Sequence, residues 1–396
     1  MIYRSFGKTG LPLSVLSAGC MRSMQSWQDM PDDSISAAGQ VLLEAILREA
    51  FCLGINHVET ARGYGSSERQ LGKILPLFAR NSFYLQTKVA PEDDPALFSA
   101  NVLDSLNRLG VDYVDLLACH GINSHRELWQ CCRPNGCLAA ARRLQLEGKA
   151  RWIGFSGHAD TDVLLAAVRH QGDGGFDYVN LHWYAIFQRH TPVLEAAQAR
   201  NLGVFIISPS DKGGKLYKPP ALLRELSSPL SPMQFNDLFC LLQPEIHTIS
   251  VGAARPEDFH DHVEALSYLE KPQLVTGIFK RWQERMLVAT GQRLPDAHWQ
   301  QYPTYIDTPG YINLPYIFWL AHLARGWDLL HYAQSRYASL GNDTRWVPGN
   351  NAAHAFELNW TVFAHKHGLD AGQLREQLQQ THTLLHKSAT EDLKNE

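Results

Sequence analysis

Apolar and polar positions along the chain switch repeatedly between two periods. Short runs rich in β-branched and aromatic residues occur at 14–21 (SVLSAGCM), 55–61 (INHVETA), 83–89 (FYLQTKV), 113–120 (YVDLLACH), 151–156 (RWIGFS), 178–184 (YVNLHWY), 203–209 (GVFIISP) and 246–252 (IHTISVG). Segments of helical period separate them, at 39–53, 67–79, 96–109, 137–148, 160–171, 190–201 and 255–267. Runs that are apolar at nearly every position read as strands buried on both faces, as in a parallel sheet covered by helices. Strands and helices in this alternation predict an α/β chain folded as a closed (β/α)8 TIM barrel over residues 1–268. Such a barrel runs to about 250 residues as one unit, and chemistry is expected at the C-terminal ends of its strands.

From residue 269 the pattern changes. "KPQLVTGIFKRWQERM", "PGYINLPYIFWLAHLARGWDLLHYAQSRYASLG" and "RWVPGNNAAHAFELNWTVFAHKHGLDAGQLREQLQQTH" are helical with aromatic interruptions and carry no set of strands. A C-terminal α-helical extension over 269–396 is therefore expected.

Composition narrows the partners. With 45% hydrophobic and 19% charged residues the chain has material for a core and is not of the disordered class. A net charge of -4 and a pI near 6.5 give no electrostatic footprint for nucleic acid, which leaves small molecules or proteins. Seven cysteines, at 20, 52, 119, 131, 132, 137 and 240, form no Cys-x-x-Cys pair, and an odd count points to a reducing compartment. The N-terminal stretch has no apolar core of signal-peptide length, and no run reaches the roughly 18 apolar residues of a membrane span, so a cytoplasmic location is expected. Cys131, Cys132 and Cys137 in "QCCRPNGC" read as a loop and helix start, and no metal site is expected. The histidines are scattered, although His158 and His182 follow the fifth and sixth runs and can line a cavity there.

The ends of the runs carry chemistry. The second finishes at Glu59 and leads to Tyr64, the third ends in Lys88-Val89, and the fourth in Cys119-His120. Taken singly, a Lys or His at a strand end is more often structural. In a barrel, however, the ends converge, so an acid, a phenol, an amine and an imidazole can meet across long stretches of chain.

With these residues the chain resembles the aldo-keto reductases. "YRSFGKTGLPLSVLSAG", "GINHVETARGYGSSERQLG", "TKV", "SLNRLGVDYVDLLACH", "LEGKARWIGFS" and "VGAARPEDF" stand in the family's order over about residues 1–268. The resemblance implies an NADPH-dependent carbonyl reductase with Tyr64 as proton donor, Lys88 lowering the Tyr64 pKa, His120 orienting the carbonyl, and Glu59 paired with Lys88. Glu59 departs from the family's usual Asp by one methylene. For the cofactor the resemblance implies Met21, Ser156, Asn180, Ser208, Pro209, Ser210, Lys215, Gly252, Arg255 and Asp261. Gly213 and Gly214 would allow close approach of a pyrophosphate, and Arg255 would meet the 2′-phosphate. Here too the pattern is partial. Gly157 follows Ser156 where a Ser-Asn pair is usual, Ile207 stands at an aromatic position, and Gly252 and Asp258 occupy the more familiar Lys and Arg positions. No Gly-x-Gly-x-x-Gly fingerprint supports a Rossmann site.

"INLPYIF" and Arg336-Tyr337 further resemble those bacterial members that end in a ferredoxin-like iron–sulfur module. Such clusters need thiolates, and no cysteine follows Cys240. A degenerate module without iron–sulfur clusters is expected, available as a surface for a protein partner. The other function class is a non-catalytic NADP(H)-binding regulatory protein on the same fold.

Overall fold

The computed structural model describes residues 1–341 and 348–386; the parts of the predicted extension at 342–347 and 387–396 lie outside the described residues. An antiparallel hairpin, β1 (Tyr3–Ser5) and β2 (Pro12–Ser14), precedes eight parallel strands. These are β3 (Leu16–Gly19), β4 (His57–Glu59), β5 (Tyr84–Val89), β6 (Val114–Cys119), β7 (Ala150–Ser156), β8 (Tyr178–Leu181), β9 (Gly203–Ile206) and β10 (Thr248–Val251). Each pairs with the next, and β10 pairs with β3, so the sheet closes into a barrel. Seven fall inside the runs read from the sequence, and β7 begins one residue before its run, at Ala150.

Burial on both faces explains the continuous apolar pattern. Every residue of β6 is buried, including Asp115, whose carboxylate accepts from Leu85 N at 2.9 Å and pairs with Arg80 at 2.7 Å. A buried carboxylate is tolerated when it is paired and hydrogen-bonded in this way. Asp177 is held similarly by Arg142 at 2.8 Å, Lys8 at 3.1 Å and Ile153 N at 2.9 Å. Below the barrel, Phe6 packs with Leu13, Leu116, Ala118, Tyr178 and Phe205, so the hairpin seals the end opposite the strand C-termini.

The surrounding helices begin and end where local chemistry requires. Helix α1 (Ala37–Cys52) is capped by Ser36, whose side chain accepts from Gly39 N. Helix α2 is Ser67–Ile74; α3 (Pro95–Leu109) has the Asp94 cap, proline in its first turn and left-handed Gly110 after its end. Then come α4 (His125–Cys132), α5 (Cys137–Leu146), α6 (Thr161–Arg169) and α7 (Thr191–Ala199). Helix α4 was not foreseen: Cys131 and Cys132 end a helix rather than lie in a loop, with Ser124 as its cap. The chain continues through α8 (Ala221–Ser227), α9 (Pro232–Leu241) and α10 (His260–Ala265).

Two compact units can be distinguished. One comprises Met1–Tyr184, His190–Lys212 and Met233–Pro272; the other comprises Ala185–Arg189, Gly213–Pro232 and the chain from Gln273 onward. The second unit thus draws two segments from within the stretch assigned to the barrel. Its helices are α8, α11 (Pro272–Thr290), α12 (Leu314–Trp327), α13 (Leu330–Ala338), α14 (Thr361–Lys366) and α15 (Ala371–Leu385). Its core is aromatic: Trp282 and Trp327 are fully buried with ring centroids 5.0 Å apart. Trp282 donates to Ser227 Oγ at 3.2 Å, and Trp327 donates to the Trp282 carbonyl at 2.9 Å.

Candidate active site

The strand ends bring Glu59, Lys88, Tyr64 and His120 together. Glu59 and Lys88 are buried on neighbouring strands β4 and β5 and form an ion pair, while the Lys88 ammonium also donates to the Thr60 carbonyl at 2.8 Å. The same ammonium lies 4.7 Å from the centroid of the Tyr64 ring. Tyr64 meets His120 edge to face, with centroids 5.7 Å apart and planes at 87°. Tyr64 and His120 are half-buried, which leaves them within reach of a small molecule.

Local backbone chemistry explains the glycines beside Tyr64. Gly65 has φ +50°, and a Cβ there would lie 2.0 Å from the Ser26 carbonyl oxygen. Only glycine tolerates both the left-handed conformation and that approach. On the other side, a Cβ on Gly63 would lie 3.7 Å from the His120 ring. Glu59 is accommodated at Gly19, where an added Cβ would stand 3.3 Å from Glu59 Oε2 and 2.4 Å from Ser250 Oγ.

Burial dominates the electrostatics. It pushes the Tyr64 phenol above its ordinary range, and the nearby Cys20 adds to this. The expected lowering of the Tyr64 pKa by Lys88 is thus not what this geometry gives, because the ammonium is already engaged by Glu59 and the Thr60 carbonyl. Burial pushes Lys88 itself well below the lysine range, an effect the contacting Glu59 carboxylate opposes. His120 is lowered to about 3 by burial first, then by Lys88 and Lys212, so its imidazole is neutral at physiological pH. Beneath this group the barrel interior stays polar: Ser17 Oγ lies 2.7 Å from both His57 Nδ1 and Thr248 Oγ1.

The residues implied for a cofactor divide into groups. Ser156 and Asn180 are paired across β7 and β8, both buried. The Asn180 amide nitrogen and oxygen have no hydrogen-bond partner among the described residues, nor does Ser210 Oγ. An orphaned buried amide needs a ligand offering both a donor and an acceptor, and a nicotinamide carboxamide meets that need. The residues present therefore fit the group. Gly157 has no room for the usual asparagine, since a Cβ would lie 2.6 Å from the Ile122 carbonyl oxygen and from Leu164. Ile207 is nearly buried beside this pair.

Ser208 has φ +53° and its carbonyl accepts from Lys212 N at 2.9 Å; the Pro209 carbonyl accepts from Asn236 at 3.2 Å. Lys215, by contrast, belongs to the helical unit, with Gly213 and Gly214. Gly252 follows β10, and its carbonyl accepts from Arg22 at 3.1 Å, a cation the sequence reading passed over although it adjoins half-buried Met21. Arg255 is exposed and pairs with Asp258 at 3.0 Å, so its charge is already engaged. Asp261 is exposed on α10. The sequence reading also passed over Lys212 and Tyr184, which join His182 at the mouth of the barrel. No short motif signals them.

Among the described residues, no group of three or more His, Cys, Asp or Glu is arranged to hold a metal ion, and no helix is long and apolar enough to cross a membrane.

Comparison with known proteins agrees with this architecture. L-galactose dehydrogenase of Arabidopsis thaliana is 34% identical over 294 residues, 67% of this chain and 88% of the relative. L-glyceraldehyde 3-phosphate reductase of Escherichia coli (strain K12) is 29% identical over 175 residues, 40% of this chain and 46% of the relative, so less than half of that protein is spanned. The holo form of an aldo-keto reductase from Bacillus halodurans superposes with a TM-score of 0.58 at 22% identity, covering 70% of this chain and 96% of that one. The model of the Aldo/keto reductase family matches residues 15–218, and with the closed barrel and its strand-end residues this places the chain in the aldo/keto reductase family.

Proposed function

We propose that the protein is an NADPH-dependent oxidoreductase that reduces an aldehyde or ketone to an alcohol, with Tyr64 as general acid. The observation that carries the reading is the Tyr64 ring set between the Lys88 ammonium, 4.7 Å away, and the His120 ring, 5.7 Å away, over the Glu59–Lys88 ion pair. NADPH, when bound, would supply the hydride for the carbonyl carbon. Tyr64 donates its phenolic proton to the carbonyl oxygen as the hydride reaches the carbonyl carbon. Neutral His120 donates a hydrogen bond that orients the carbonyl and steadies its developing negative charge. Glu59 pairs with Lys88 in its buried position. Ser156 and Asn180 would hold the cofactor's carboxamide, and Ser208, Pro209 and Ser210 would lie along its phosphates.

The names of the two relatives, one a sugar dehydrogenase and one a triose phosphate reductase, support small polyhydroxylated carbonyl compounds as substrates. Preference for NADPH over NADH rests on Arg255 and Arg22 near Gly252. Since Asp258 competes for Arg255, the preference is modest, and Arg255→Ala narrows it further. The cytoplasm is the proposed compartment, in keeping with seven free cysteines. We assign the helical unit as a degenerate ferredoxin-like extension open to a protein partner.

The test is reduction of an aldehyde panel followed by NADPH consumption. Tyr64→Phe removes only the proton donor, so turnover falls by roughly a hundredfold or more while NADPH affinity is nearly retained. Protein that binds NADPH but reduces nothing, with Tyr64→Phe indistinguishable from it, replaces this reading with the regulatory one.

A further inference from the structure

Thr60 meets the buried ion pair and the Tyr64 turn at once. Its carbonyl accepts from Lys88 Nζ at 2.8 Å, and Lys88 pairs with Glu59 beside it. Its hydroxyl lies 2.8 Å from Ser67 Oγ, seven positions along the chain, and Ser67 Oγ donates to the Cys20 carbonyl at 3.2 Å. A carbonyl only accepts, so the Ser67 proton is committed there and the Thr60 hydroxyl donates to Ser67. The two hydroxyls form a directed chain that ends just past β3, and Thr60, Ser67 and Cys20 are all buried. Between Thr60 and Ser67 lies the Tyr64 turn, where Tyr64 N donates to the Ala61 carbonyl at 3.0 Å and Ser67 N to the Tyr64 carbonyl at 2.9 Å.

Those two backbone bonds shape the turn. The hydroxyl chain fastens its far end to the strand ends, at the residue that also holds Lys88. We propose, on the reductase reading, that the Thr60 and Ser67 hydroxyls are positioning groups, which hold the Tyr64 phenol in register with the Glu59–Lys88 pair and the His120 ring. They act through Tyr64 and not on the substrate. Ser67→Ala leaves the buried Thr60 hydroxyl without its partner and releases the far end of the turn. A shift of the phenol by about 1 Å is enough to cost on the order of a hundredfold in rate.

The test compares the unmodified protein with Thr60→Val, which keeps the shape and the backbone carbonyl, with Ser67→Ala, with the double variant and with Thr60→Ser. For an aldehyde that the unmodified protein reduces, kcat falls about tenfold or more in each single apolar variant while KM for NADPH moves by about twofold at most. Thr60→Ser keeps the hydroxyl and recovers most of the loss. Because the two hydroxyls act as one connection, the double variant loses no more than Ser67→Ala alone. A fall in stability with kcat unchanged overturns the proposal and leaves the reductase reading standing; losses that multiply in the double variant, or that Thr60→Ser does not recover, also overturn it. Ser67→Ala carries the same reading should Thr60→Val fail to fold. Placement of the phenol is read without turnover from the fluorine resonance of 3-fluorotyrosine at position 64, assigned by its absence in Tyr64→Phe. His120→Gln moves that resonance by removing the edge-on ring; Thr60→Val moves it too, and Thr60→Ser does not. A resonance that Thr60→Val leaves in place overturns the proposal. Should no aldehyde be reduced, the reductase reading fails and the fluorine resonance alone decides the positioning.

Discussion

The extra methylene of Glu59 has a place to go. Gly19 leaves its carboxylate room beside Ser250, and the carboxylate still reaches Lys88 on the adjacent strand. Glu59→Asp therefore shortens the arm in a pocket shaped for the longer one. Turnover of an active aldehyde is expected to fall, whereas a rise would mean that Glu59 holds Lys88 away from Tyr64. Titration of His120 gives a second prediction at this scale. Its pKa of about 3 keeps the imidazole neutral across the physiological range, so kcat/KM has no inflection near 6.5. An acid limb centred there that His120→Gln removes would show that the ring titrates in its ordinary range. His57 is likewise lowered to about 3 by burial, then by Lys88. For both rings the unfolded chain binds the proton first. Their contribution is complete above about 6.5 and is lost as pH falls towards 3, by about 1.4 kcal/mol per pH unit for each. Denaturant midpoints measured from pH 7 to 4 check the slope; a flat profile would contradict it.

At the scale of elements, the turn after β4 depends on one residue. Gly65→Ala places a methyl group on the Ser26 carbonyl in a left-handed conformation, so the Tyr64 turn must shift. Loss of turnover with retained circular dichroism is expected, because misplacing a reacting group by about 1 Å costs on the order of a hundredfold. In the helical unit, α11 and α12 are joined through Trp282 and Trp327. Trp282→Ala removes a fully buried indole and its bond to Ser227, a loss of roughly 3–5 kcal/mol measurable by urea denaturation. A loss below 1 kcal/mol would contradict the packing.

At the scale of the molecule, the segment 213–232 belongs with the C-terminal helices. Arg281 donates to the Leu226 carbonyl at 2.9 Å, and Leu329 lies against Gly214. A chain ending at residue 268 is thus expected to keep α/β circular dichroism while 213–232 becomes sensitive to limited proteolysis. Resistance of that segment would show that it holds without the C-terminal helices. Iron and sulfide analysis of the full chain is expected to find no cluster, since thiolates are lacking after Cys240; stoichiometric iron would overturn the reading of the extension.

The barrel was legible because a strand buried on both faces must be apolar at nearly every position, and eight such runs alternated with helical ones. Glu59, Lys88 and His120 were legible for a related reason: polar residues closing apolar strands have to serve the end of the barrel. Helix α4 was hidden among polar residues and paired cysteines, where periodicity is weak and the Ser124 cap is a single residue. The segments at 185–189 and 213–232 could not be assigned to the helical unit by any cut along the chain, because their partners follow residue 272. Nor could the state of Tyr64 be read, since its pKa depends on burial and on a lysine already engaged by Glu59. Sequence by itself determined which positions are apolar and at what period, and so the barrel; tertiary structure alone decided which charges meet, because proximity across strands depends on closure and register.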